Sequence, residues 1–208
     1  DEEVSRGLGD VYKRQDRGKS LKNSKGELVC KNPFPSMPLK FWNDKNDVKF
    51  KKAYFNRYKN TWHHGDYAER KNTDGFIIHG RSDTTLNPGG VRLGTAEIYS
   101  EVEKFKEIKE ALVVGQSWDN DIRIILFVVT SKGYILNDSL LSRIKTQIRT
   151  NASPRHVPSK VIVVKDIPRT KSGKIVELAV KSTIDGSVVK NKEALANPEV
   201  LIQYKNLK

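Results

Sequence analysis

The feature that most constrains this 208-residue sequence is a change of texture at Asp83. From Asp16 to about Asp83, short apolar runs are broken by turn residues, which predicts short strands. Glu27-Leu-Val-Cys30 is a brief strand, stopped by Asn32-Pro-Phe-Pro-Ser-Met-Pro38, whose prolines remove amide donors and forbid helix. The aromatics Phe41, Trp42, Phe50, Tyr54, Phe55, Tyr58 and Trp62 follow, and are expected to pack a small β-rich core. Thr73-Asp-Gly75 is a turn into the strand Phe76-Ile-Ile-His79.

After Asp83, helical and strand periodicities alternate. Thr95 is expected to cap a helix with Ile98, Val102 and Phe105 on one face. Ala111 to Gly115 and Ile122 to Val129 read as strands. Asp138 is expected to cap a second helix with Leu140, Leu141, Ile144 and Ile148 inward. Lys160 to Lys165 reads as a strand, and Ile175, Leu178 and Ala179 as the start of a third helix. This alternation predicts an α/β (α+β) chain: a small β-rich part over 16–83, then a compact mixed α/β domain over 84–208. Residues 1–15 fit neither period and resemble a non-native leader, so they carry no expectation of fold.

Composition matters through charge. The 38 Lys and Arg against 25 Asp and Glu leave a net +13, and basic chains often bind nucleic acid. Here the excess is diffuse, +6 up to Asp83 and +7 after it. A generally basic surface accounts for it better than a polyanion-binding arm. The competing class, a basic α/β module for nucleic acid, would need one contiguous cationic face and strongly salt-dependent affinity. The single Cys30 forbids an internal disulfide, no run reaches the ~18 apolar residues of a membrane span, and no signal peptide opens the chain. A cytoplasmic protein with no membrane and no nucleic-acid partner is expected, and no residue set suggests a metal site.

Three segments carry chemistry. Trp62-His-His-Gly-Asp66 sets a carboxylate beside a glycine, suited to a ribose, although Gly-Asp is also an ordinary turn. Gly80-Arg-Ser-Asp83 leads into Leu86-Asn-Pro-Gly-Gly-Val-Arg-Leu-Gly94. Its glycines could offer backbone donors to phosphates or simply build a tight hairpin with positive φ. No Walker A spacing occurs. Ile167-Pro-Arg-Thr-Lys-Ser-Gly-Lys174 is a basic loop between a strand and a helix, from which one projecting Lys could meet an anionic transition state.

In this order and spacing, the three segments resemble the last third of the acyl-CoA synthetases of the adenylate-forming superfamily, from about residue 26 onward. Asn32 to Asp44, Gly80 to Tyr99, Ala152-Ser-Pro-Arg-His-Val-Pro158 and Lys190 to Glu199 narrow the resemblance to one branch of it. The family's activity implies a ligase that uses ATP with Mg2+ to convert an acid to an acyl-AMP and then passes the acyl group to CoA. Residue by residue, the resemblance implies that Asp66 and Arg81 hold the adenylate ribose and that Arg92 contacts phosphate. It further implies that Asp83 is the hinge between large and small domains, that Gly90 lines the pantetheine tunnel, and that Lys174 is the adenylation lysine. Lys145 and Arg149, one helical turn apart, could meet the CoA phosphates. Residues 16–83 would be the end of the large AMP-binding domain and 84–208 the small one. The family's Ser/Thr/Gly-rich phosphate loop and acid pocket are not in this sequence, so the chain alone is expected to be inactive and to need the rest of the adenylation domain.

Overall fold

A computed structural model describes residues 10–12 and 22–205, which form two compact units parting between Asp83 and Thr84. The first unit holds an antiparallel sheet of four strands in sequence order: β1 (Asp10–Tyr12), β2 (Lys25–Cys30), β3 (Trp62–Arg70) and β4 (Phe76–Arg81). Within the stretch read as a leader, Asp10–Tyr12 pairs with β2 and Val11 is fully buried; the other residues of 1–15 lie outside the described residues. The turn before β4 is closed by the Lys71 amide donating to Gly75 O at 2.8 Å, with Asp74 at φ +59°.

Between β2 and β3 the chain forms a helix where only strands and turns were expected: α1, Val48–Tyr54. Seven residues are too few for a helix to stand alone. Two things hold it: the Asp44 carboxylate accepts from the Lys49 and Phe50 amides at 2.9 and 2.8 Å, and Phe50 is buried against Trp62. Tyr54 stacks on Trp62 with ring centroids 3.7 Å apart, and Phe34, Phe41 and Phe55 complete the cluster. Trp42 departs from the expected core, at 97% exposure.

The second unit is built on a three-stranded sheet, β5 (Ile108–Trp118), β6 (Asp121–Thr130) and β7 (Lys160–Val163), with β6 in the middle. β5 and β6 form a long hairpin whose two-residue turn, Asp119-Asn120, has φ of +49° and +58°, as a type I′ turn requires. β7 pairs parallel to β6 after a crossover that carries α3 (Asp138–Asn151). Side chains of the hairpin alternate between two cores. Val113, Ile124 and Leu126 meet Ile98 and Val102 of α2 (Ala96–Val102) and Leu140, Ile144 and Ile148 of α3. Leu112, Ile125 and Phe127 meet Val180 of α4 (Glu177–Ile184) and the closing segment with Leu195, Leu201 and Tyr204.

Several local expectations need correction. The cap of α3 is Asn137, whose side chain accepts from the Leu140 amide, and Asp138 is the first helical residue. Thr95 sits at the N-cap of α2 without a side-chain bond; Glu97 reaches back to the Gly94 amide instead, at 3.4 Å. Phe105 is buried but lies beyond the end of α2, and Leu141 is only half-buried. Ile175 and Leu178 are each 41% exposed, so α4 faces the core through Ala179 and Val180. Among the described residues, no helix is long and apolar enough to cross a membrane.

Candidate functional site

In the first unit the site grows from the β3–β4 pairing, which sets Asp66 opposite Arg81. Arg81 Nη1 donates to Asp66 Oδ1 at 3.2 Å and to His64 O at 3.3 Å, while Arg81 Nε lies 3.6 Å from Asp83 Oδ1. His64 Nδ1 contacts the other Asp66 oxygen at 2.5 Å. Gly65 makes this approach possible: it has φ +86°, and a Cβ there would come within 2.7 Å of Arg81 Nη2. His64, Gly65, Arg81 and Asp83 border an open cavity of about 450 Å3 shared with Tyr54 and Arg57, and Asp66 is tied to its wall through Arg81 and His64. A carboxylate that accepts from both a guanidinium and an imidazole is well placed to accept hydroxyl hydrogens when those partners shift.

Beneath lies Glu27, fully buried, with its carboxylate bonded to Arg57 Nη1 at 3.0 Å, His63 Nε2 at 3.1 Å and the Ser82 hydroxyl. Ser82 is also held through its amide to Gly65 O at 2.9 Å. The segment leading to Asp83 is therefore pinned at Ser82, by its hydroxyl to Glu27 and by its amide to Gly65. Gly65→Ala should destabilise the first unit by about 1–2 kcal/mol through its left-handed backbone alone, and displace the guanidinium from Asp66. An unchanged urea midpoint for that variant would contradict the packing described.

In the second unit, Gly90 and Arg92 share a short hairpin closed by reciprocal Leu86–Leu93 backbone bonds of 3.0 and 2.8 Å. Of the two readings of this glycine-rich loop, the structure shows the hairpin, with Gly89 at φ +57° and Gly90 at φ +74°. The Gly89 amide donates to the Asp121 carboxylate at 2.9 and 3.0 Å. Nothing lies within 4 Å of where a Gly90 Cβ would stand, so the space beside that backbone is open. Arg92 is half-buried and donates through Nε to Thr85 Oγ1 at 3.1 Å.

Lys174 lies in a second hairpin. Arg169 bridges to Ile175, the Thr170 amide donates to Lys174 O at 2.8 Å, and Gly173 takes φ +83°. The segment read as a loop is thus a tight turn that leaves Lys174 exposed. Lys145 and Arg149 lie on α3, the first half-buried and the second exposed. Asp66, Arg81 and Asp83 are therefore brought together, whereas Arg92 with Gly90, Lys174 and Lys145 occupy three separate elements of the second unit. Among the described residues, no cluster of three or more His, Cys, Asp or Glu offers a metal cage.

Two residues of this arrangement went unread in the sequence. His64 stands two positions before Asp66, which in a strand puts both on one face, so period-2 spacing could have found it. Glu27 carries no signal beyond being an acid in an apolar strand. Tyr99 ties the layers of the second unit together, accepting from the Val113 amide at 3.0 Å and donating to Glu177 just beyond Lys174. Burial, and then the Glu177 carboxylate, push its phenol well above the ordinary value and keep it a donor.

Residues 97–174 match the AMP-binding enzyme C-terminal domain family. Over 204 residues, 97% of its length, the chain is 57% identical to an acetoacetyl-coenzyme A synthetase of Rhizobium meliloti (strain 1021). It is 45% identical to an acetoacetyl-CoA synthetase of Gallus gallus over 92% of its length. The chain spans 31% of the first relative and 29% of the second. The solved structure of acetoacetyl-CoA synthetase from Streptomyces lividans superposes with a TM-score of 0.87 at 41% identity, covering 95% of this chain and 30% of that one.

Proposed function

We propose that this chain, whose residues 97–174 match the AMP-binding enzyme C-terminal domain, belongs to the adenylate-forming acyl-CoA synthetases and carries part of an acetoacetate–CoA ligase, including that enzyme's small domain. The observation that carries the reading is 57% identity to an acetoacetyl-CoA synthetase across 97% of the chain. In the first reaction an acetoacetate oxygen attacks the α-phosphorus of ATP, and pyrophosphate leaves. In the second, the CoA sulfur attacks the acyl carbon of acetoacetyl-AMP, and AMP leaves.

The residues divide this work. Asp66, backed by Arg81, accepts the ribose hydroxyls; Arg92 steadies a phosphate; Lys174 meets the negative charge that grows on the phosphate oxygens during adenylation. Gly90, with open space beside it, leaves room for the pantetheine arm, and Lys145 and Arg149 offer cations to the CoA phosphates. Asp83, the last residue of the first unit, serves as the hinge that exchanges one set of groups for the other between the two reactions. Mg2+ enters as the partner of ATP; no cage for it exists among the described residues, and no step is assigned to it. A place in fatty acid and lipid metabolism and a cytoplasmic setting complete the reading, the setting being in keeping with a single, unbridged cysteine.

The test joins this chain to the remaining portion of such a synthetase and compares acids. The complete enzyme should form acetoacetyl-CoA with a higher kcat/KM for acetoacetate than for acetate or propionate, and the 208-residue chain alone should form none. A preference for acetate or propionate would replace acetoacetate with another short-chain acid. Product from the chain alone would overturn the division of labour.

A further inference from the structure

The hairpin that presents Lys174 has a second border, supplied by residues distant in sequence. Two short strands joined by a tight turn are marginal by themselves, and a third strand is the usual remedy. Here the segment 194–197, though not itself a strand, braces the hairpin through isolated backbone contacts. The Lys171 amide donates to Ala194 O at 3.1 Å, the Ala196 amide donates to Arg169 O at 2.8 Å, and Thr170 bridges to Leu195. On its opposite edge, the same Arg169–Lys171 stretch bonds to Lys174, and the Val176 amide donates to Pro168 O at 3.1 Å. The backbone at Arg169 and Thr170 is thus bridged on both sides, to Lys174 and Ile175 on one and to residues 194–196 on the other.

Asn197 closes this arrangement with its side chain. Its Oδ1 accepts from the Arg169 amide at 2.9 Å, and its Nδ2 donates to Ile167 O at 3.0 Å and to Asp166 Oδ2 at 2.7 Å. The main chain of Ile167 to Arg169, which leads into the Lys174 turn, is therefore held by one amide group. The closing segment is itself anchored: Leu195 is buried, and Tyr204, fully buried, donates its hydroxyl to Asp166 O at 2.9 Å. These residues lie beyond the stretch matched by the family, which ends at Lys174.

We infer that Asn197 is a positioning residue for Lys174, fixing the base of the hairpin so that the lysine ammonium reaches the reacting phosphate. The inference rests on the adenylation role proposed for Lys174. Asn197 touches no substrate; it acts on the backbone that carries the lysine. Misplacing a catalytic group by about an ångström costs up to about a hundredfold, and four rotatable bonds in the lysine recover part of that. A loss of about tenfold is expected.

The experiment uses the complete synthetase and measures both half-reactions. Asn197→Ala should lower kcat for acetoacetate adenylation about tenfold, followed by acetoacetate-dependent pyrophosphate exchange, with little change in KM for ATP and thioester formation from supplied acetoacetyl-AMP intact. In a Lys174→Ala background, adding Asn197→Ala should slow adenylation no further, because its effect passes through the lysine. Hydrogen exchange should quicken at the Arg169 and Lys171 amides while β5 and β6 keep their protection. Asn197→Asp, nearly isosteric, keeps an acceptor for the Arg169 amide, loses both donated bonds and sets a second carboxylate against Asp166, so it should give at least the same selective loss, with protection kept in β5 and β6 as the check that the protein still folds.

Equal loss in both half-reactions for both variants, or multiplied losses in the double variant, would overturn the positioning role. Should Lys174→Ala slow adenylation while Asn197→Ala leaves it unchanged, only the inference about Asn197 falls. Should Lys174→Ala itself leave adenylation unchanged, the reading of Lys174 falls and takes this inference with it.

Discussion

Lys174→Ala, in the complete enzyme, is expected to slow acetoacetate adenylation by about 10^2 to 10^3-fold, the range found when one donor to a developing oxyanion is removed. Thioester formation from supplied acetoacetyl-AMP should stay within about threefold of the unmodified enzyme. The reason is differential stabilisation. Displacement at the α-phosphate spreads negative charge over oxygens that a nearby ammonium meets more strongly in the transition state than in bound ATP. Attack by sulfur on the acyl carbon develops charge first on the carbonyl oxygen and then on the departing AMP, a step that the proposed hinge at Asp83 runs with Lys174 withdrawn, so the same cation contributes little there. Lys174 is exposed on its hairpin and sits at the turn between Gly173 and α4, a place from which it can be delivered and withdrawn. Comparable losses in the two half-reactions would sink the idea that one site runs two reactions by exchanging groups.

The second large effect concerns stability. Glu27→Ala should destabilise the first unit by about 3 kcal/mol or more, because it strips a buried carboxylate from the groups gathered on it. Glu27 is fully buried, whereas the Arg57 side chain keeps 28% exposure, which places the estimate at the low end of the range for broken buried pairs. His63 and the Ser82 hydroxyl lose their acceptor as well. With Trp42 and Trp118 changed to Phe, Trp62 becomes the single tryptophan, buried in the aromatic cluster beside this network. Its fluorescence then follows urea unfolding of the first unit. A midpoint unchanged from that of the parent would mean that the buried carboxylate contributes nothing net.

What the sequence made legible follows from how local each signal is. β5 and β6 announce themselves through two long apolar runs around Asp119-Asn120, and both strands extend further than the runs suggested. α1 was missed because its warrant is not local: the Asp44 carboxylate stands outside the ordinary cap position, and Asn46 and Asp47 have positive φ just before the helix. Residue type alone argues for burying Trp42, and aromatic character does not say which way a side chain points. At the candidate site, Asp66 and Arg81 lie in readable motifs, and their contact follows from strand pairing. Asn197 could not be read, since its partners at Asp166, Ile167 and Arg169 lie 28 to 31 positions earlier. Asn137 and Asn151, each two residues before a serine, have structural work: one caps α3 and the other donates to Glu101.

The hairpin of β5 and β6 is apolar on both faces, and this removes a cue that most strands possess. Where one face is wet, a slip of one residue exposes the core and is rejected on polarity alone. Here a slip would trade Leu112, Ile125 and Phe127 for Val113, Ile124 and Leu126, one oily set for another. Hydrophobicity cannot choose between those alignments. The choice passes to shape, as at Gly115, where an added Cβ would stand 2.7 Å from Ile122 Cγ2. It passes above all to the two left-handed residues at the tip, Asp119 and Asn120. A solvent-exposed polar pair thereby assigns each buried side chain of the hairpin to its own layer.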